Sequence, residues 1–256
     1  MTARMFFVPL AAAMLISCGG GGGETKEKKL VSTEAPAAPA DPATLGTIQG
    51  KVAFTGTKPE RKVLSMDATP ACARMHSGPV YAEDVVINEN GTLKNAFVYI
   101  KSGLAAKEYP TPSAGVKLDQ KGCVYAPHVI GVMVNQPVEI SNSDDTNHNI
   151  HPMPKINREW NESQPPKGDL KVKTFPKEEL PPILFKCNIH PWMRAWVGVS
   201  SHPFFAVTGE DGSFTIKDVP AGEYTLEVWQ ERYGVQEMKI KVEPKAAVTA
   251  DFSYKG

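Results

Sequence analysis

The chain has 256 residues, 41% of them hydrophobic and 22% charged, with 22 Pro and 21 Gly, a globular composition rich in proline. Lys plus Arg and Asp plus Glu balance at 28 each. That balance leaves no basic footprint for nucleic acid and no basic tail for anionic lipid, and argues against nucleic acid as a partner.

At the N-terminus Arg4 supplies a positive charge, and Met5 to Ser17 form an apolar stretch too short for an ordinary transmembrane helix. It ends in Leu15-Ile16-Ser17-Cys18, which resembles the bacterial lipobox. The resemblance implies a lipoprotein signal peptide over residues 1–18, cleavage before Cys18 and a lipid on its thiol. The mature protein is then expected on the periplasmic side of a bacterial cell envelope, anchored to a membrane by that lipid. Gly19 is not acidic, which favours outer-membrane sorting. Residues 19–45, five glycines followed by mixed charges and an Ala/Pro run, have little to bury and read as a disordered linker. About 210 residues remain, enough for one large or two small domains.

From residue 46 onward the periodic segments read as strands. In chain order they are Gly46–Phe54, Ala96–Ile100, Pro137–Ile140, Ile183–Cys187, Ala195–Val199, Ser213–Ile216, Tyr224–Trp229, Met238–Val242 and Val248–Phe252. Turn signals such as Asn90-Gly91, Asp211-Gly212 and Pro220-Ala221-Gly222 separate them, and no long segment has a helical period. The expectation is an all-β protein built from sandwiches.

Gly50-Lys-Val-Ala-Phe54 and Asn95-Ala-Phe-Val-Tyr-Ile100 resemble the opening strands of carboxypeptidase-regulatory-like (transthyretin-like) domains. Ala206 to Ile216 and Val219 to Leu226 are similar to the rest of that pattern. Gly212 and Gly222 are expected at hairpin turns that need positive φ. The resemblance implies a small transthyretin-like β-sandwich in two pieces, 46–102 and 203–256, with a second domain, 103–202, inserted between them. Two modules in series is the alternative.

Residues 103–202 carry Asn147-His-Asn-Ile-His151 and Cys187-Asn-Ile-His-Pro-Trp-Met193. One thiolate, two imidazoles and a thioether form the donor set associated with blue-copper electron transfer. Cys187 ends an apolar strand, and His190 and Met193 follow in a tight loop. His148 must come from an upstream loop at the same end of the sandwich. The Cys-x-x-His-x-x-Met loop and the upstream Val134-Asn-Gln-Pro-Val-Glu-Ile-Ser-Asn-Ser-Asp144…His148-Asn149 resemble the cupredoxins, amicyanin most of all. The resemblance implies a Greek-key β-sandwich holding one type 1 copper. His148 is then the buried ligand, Cys187 the thiolate, His190 the solvent-edge ligand, Met193 the axial one, and Asn149 braces the ligand loop. Zinc, for which Met193 would be an odd ligand, and no metal are the other readings. Trp192 departs from the family pattern.

His151 is expected to face solvent, and Glu159 and Glu162 to be solvated loop charges. Met153, Pro191 and Trp192 are candidates for an apolar docking patch. With Cys18 lipidated and Cys187 on the metal, Cys72 and Cys123 remain as a disulfide pair in an oxidising compartment. The rival for those two is a second metal site with His76 and His128. His202 reads as structural. No catalytic motif is present, so the expectation is an electron carrier serving an extracytoplasmic redox protein partner, not an enzyme. A protein that buffers or delivers copper, and a surface interaction module with incidental copper, are the alternatives.

Overall fold

The computed structural model describes residues 42–256. The lipobox, Cys18 and nearly all of the Gly/Ala/Pro segment lie outside the described residues. Among the described residues, the regular secondary structure is almost entirely strand, with one short helix, α1 (Pro70–Ala73), and one 3-10 turn (Pro42–Thr44).

The first segment supplies β1 (Leu45–Thr55), β2 (Val86–Ile87), β3 (Leu93–Lys94) and β4 (Phe97–Ser102). The middle supplies β5 (Val116–Gln120), β6 (Tyr125–Ala126), β7 (Val129–Met133), β8 (Val138–Asn142), β9 (His148–Met153), β10 (Glu162–Gln164), β11 (Lys171–Lys173), β12 (Glu179–Lys186) and β13 (Arg194–Ser200). The last supplies β14 (Phe205–Val207), β15 (Ser213–Pro220), β16 (Gly222–Gln230), β17 (Gly234–Val242), β18 (Ala247–Thr249) and β19 (Phe252–Lys255).

The first and last segments share sheets. β1 pairs with β15, β18 and β19, and a second sheet runs β14-β4-β16-β17. Alternation in these strands puts Ile48, Val52, Phe214, Ile216, Leu226 and Val228 into one core. The middle segment forms its own two sheets, β10-β9-β12-β13-β7 and β11-β8-β5-β6. Leu118, Ile140, Ile150, Phe185 and Val197 belong to the core between them.

A third cluster joins the two halves. Phe97, Val98, Tyr99 and Ile100 are all buried, because β4 is covered on both faces. Val98 and Ile100 point into the first core, while Phe97 and Tyr99 meet Val129, Trp229, Trp196 and Phe205. Gly131 and Gly198 are register partners on β7 and β13, and their lack of side chains lets the Phe97 ring lie against the sheet.

The connection from residue 57 to 84, counted in sequence with the first half, instead covers the middle segment. It contributes Met66 and Cys72 to the second core, with Leu64 and Val80 packed beside them. Gly212 has the expected positive φ of 68°. Gly222 does not: it opens β16, under the Tyr224 hydroxyl that donates to the Pro220 carbonyl at 2.8 Å. The turn there is made without the left-handed backbone that the Pro-Ala-Gly sequence suggests.

Candidate metal centre

Strand pairing delivers the ligand residues to one end of one sheet. β12 and β9 run antiparallel, with Lys186 opposite His151. Cys187 leaves the end of β12, and His148 at the start of β9 extends past that end, beside the loop. His148 therefore stands on a strand and not in the loop expected for it. The loop closes on itself: the Cys187 N–H donates to the Met193 carbonyl at 3.3 Å, and the Met193 N–H to the His190 carbonyl at 2.9 Å.

The side chains converge. His148 Nδ1 lies 2.9 Å from His190 Nδ1, and Cys187 Sγ lies 3.8 Å from that His190 nitrogen. Ligand atoms of all three residues fall within 4.8 Å of one another. His148 and Met193 are fully buried, and Cys187 and His190 are 1% exposed.

Neighbouring groups fix each donor. His148 Nε2 faces Asp144 Oδ2 at 2.9 Å, and a carboxylate only accepts, so the proton sits on Nε2 and Nδ1 is turned toward the other donors. The same carboxylate accepts the N–H groups of Gly122 and Cys123 at 2.6 and 2.7 Å. Burial opposes charge on Asp144 and His148, but their mutual hydrogen bond and these N–H donors outweigh it. Asp144 is held below the ordinary carboxylate range and His148 above that of imidazole. At Cys187 burial also opposes ionisation, and hydrogen bonds from His148 and from the N–H groups of Asn149, His190 and Ile189 lower the thiol pKa despite it. Burial lowers His190, and the charge on His148 lowers it further.

Asn149 Oδ1 accepts the N–H of Asn188 at 2.6 Å and of Ile189 at 3.3 Å, and receives the Cys187 thiol at 3.3 Å. Its amide donates to Asn161 Oδ1 at 2.6 Å. It ties β9 to the loop. Asp144, four residues before His148 within the quoted Asn-x-Asp pattern, was given no role by the sequence; an acid that close to a ligand histidine was the available signal.

Two expectations need correction. His190 is not at the solvent edge, because the Cys72–Cys123 disulfide and the Trp192 ring, 5.2 Å from its own, cover it. His151 does not face solvent either: it is buried, with Nδ1 on Asn188 Oδ1 at 3.1 Å and Nε2 on Glu159 at 2.7 Å. Glu159 is thus paired, and Glu162 bonds Lys173.

Cys72 and Cys123 are joined as a disulfide. His76 instead meets the Gly122 carbonyl at 2.8 Å and His128 pairs with Glu231 at 2.7 Å, so neither completes a site with those cysteines. His202 bonds the Ile100 carbonyl at 2.9 Å, a structural contact. Pro191 and Trp192 line a hollow of about 780 Å³ together with Val124, Tyr125 and Arg194. Met153, opposite Leu184 in the sheet, is not among its lining residues.

One thiol and two imidazoles held in a buried cluster, with Met193 packed in the same core, fit a soft metal ion in their donor chemistry. The family model that matches is the β-sandwich domain of ER membrane protein complex subunit 7, over residues 188–254. No curated protein matches the sequence. Similar solved structures include the Cu-containing nitrite reductase from Thermus scotoductus SA-01, 20% identical over 38% of this chain and 25% of that one, with a TM-score of 0.29. The chain thus spans about a quarter of that enzyme's length. A purple cupredoxin from Nitrosopumilus maritimus is 22% identical over 33% of this chain and 98% of its own, TM-score 0.28. A mutant amicyanin in its Cu(I) form is 23% identical over 40% and 98%, TM-score 0.30.

Proposed function

We propose that the chain is a type 1 copper protein that carries single electrons between extracytoplasmic redox partners, tethered to a membrane through a lipid on Cys18. The observation that carries this reading is the convergence of His148, Cys187 and His190 at the end of one sheet, with Met193 closing the loop behind them. When bound there, copper supplies a one-electron couple.

The protein's own part is to hold the donors still and keep water out. Asp144 orients His148, Asn149 holds the loop, and burial of all four ligands leaves no opening for a substrate. That closure supports the reading of an electron carrier. Because His190 is covered, a partner docking at Pro191 and Trp192 would exchange electrons through the Trp192 ring that contacts it.

The test is a redox titration of copper-loaded protein in the presence of a copper chelator. The reading predicts one electron per chain, reversible over several cycles with the metal retained, and none in Cys187→Ser. Rapid loss of metal to the chelator would replace it with copper buffering or delivery. Partner capture unchanged by the substitution would favour an interaction module.

A further inference from the structure

The disulfide lies against the metal centre. Both of its sulphurs and a ring nitrogen of His190 fall within 4.8 Å of one another, and all three residues are buried. Cys123 is fixed over the ligand loop from two sides. Its N–H donates to Asp144, and its carbonyl accepts the Trp192 indole N–H at 2.9 Å. Cys72 arrives on α1, within the connection 57–84, most of whose residues are exposed. Beyond the disulfide, that connection is held to the rest of the molecule by the packing of Met66, Leu64 and Val80, by His76 on the Gly122 carbonyl at 2.8 Å and by the Gln230 amide on the Asp84 carbonyl at 2.6 Å, while backbone bonds such as Leu64 N–H to the Val80 carbonyl at 2.8 Å lie within it. A segment with so few buried contacts opens locally at low cost, which gives a reductant access.

We propose that Cys72, Cys123 and His190 form a second, reduction-gated site for Cu(I), sharing His190 with the first donor set. This goes beyond electron carriage and does not depend on it. In the first step an external dithiol cleaves the S–S bond. It gives up two electrons and two protons and leaves as its own disulfide, and Cys72 and Cys123 become thiols. In the second, the two thiols lose their protons to solvent as the ion binds. Two thiolates and one imidazole then make the soft set that selects Cu(I). The site is closed while the disulfide stands, so metal uptake there reports the redox poise of the compartment.

The experiment uses the full chain carrying Cys187→Ser, which disables the first donor set, and Cu(I) offered in competition with a chromophoric chelator under nitrogen. Protein with the disulfide intact is compared with protein treated with a dithiol that is then removed. The expected result is one additional Cu(I) per chain after reduction, bound at least 100-fold more tightly than before. Adding Cys72→Ser should abolish the gain, and adding His190→Ala should weaken it at least 10-fold. Equal binding before and after reduction overturns the proposal. So does a gain that survives His190→Ala undiminished, since an unfolded pair of thiols would bind in that way. The blue colour of oxidised wild-type protein tests the electron-carrier reading separately.

Discussion

Asp144 serves two elements with one carboxylate. Through Oδ2 it fixes the ring of His148, and through both oxygens it holds the turn at Gly122 and Cys123. Removing a carboxylate behind a ligand histidine typically costs 10- to 100-fold in metal affinity. Asp144→Ala should therefore lower copper affinity by about that factor in a competition titration, while Asp145→Ala, whose exposed partner is Lys167, should leave it unchanged. Glu179 offers a pH test away from the metal. Burial works to raise its pKa, but the N–H groups of Lys155 and Asn157 and the Asn157 amide hold it below the ordinary glutamate value. A depressed folded pKa gives stability that is present above the unfolded value of about 4.3 and is lost as pH falls through the folded one. Urea midpoints should fall below about pH 4.5, and Glu179→Gln should flatten that slope; an equally steep slope in the variant would assign it to other acids. At this scale the convergence of His148, Cys187 and His190 was legible because thiol, imidazole and thioether in one short loop serve few other purposes. Asp144 and the partners of His151 were not, since acids occur everywhere in loops and only the strand register selects the ones that face a ring.

Elements were legible where apolar alternation met a turn signal. Gly46–Phe54 and Tyr224–Trp229 fall within β1 and β16, and Ala96–Ile100 lies in β4 from Phe97 onward. Short edge strands such as β10 and β11, three residues each, carry too little pattern to read, and β9 was hidden by its polar ligand residues. The expected single strand over Val248–Phe252 is broken in two because β18 and β19 pair with successive stretches of β1. Less visible still was the reason for Gly198. A Cβ there would sit 2.5 Å from the Phe97 ring, which joins the two halves. Overpacking of this kind costs about 1–3 kcal/mol. Gly198→Ala should lower the denaturation midpoint accordingly, with copper affinity unchanged; a neutral substitution would mean that the halves are not tightly coupled through Phe97.

At the scale of the whole molecule, the connection 57–84 decides how the centre meets its surroundings. It leaves β1, covers the middle segment and is tied down by the Cys72–Cys123 disulfide across a separation of 51 residues. On the chain-entropy model such a closure stabilises by about 4 kcal/mol. The double variant Cys72→Ser with Cys123→Ser should lose about that amount in denaturant unfolding and should expose the edge of His190. The pairing was legible from four cysteines, two of which the sequence reading assigned to other roles. The burial of His190 was not, because nothing in the local sequence of the ligand loop announces that a segment more than 100 residues away lies over it. Trp192, a departure from the cupredoxin pattern, is a trace of that cover: its indole N–H anchors on Cys123 and its ring shields the ligand.

The most direct test is the visible absorption of copper-loaded, oxidised protein beside Cys187→Ser. The account predicts an intense thiolate-to-copper charge-transfer band, bleached by reductant and absent from the variant. A wild-type protein that binds copper yet stays colourless, or a band that survives Cys187→Ser, would contradict it.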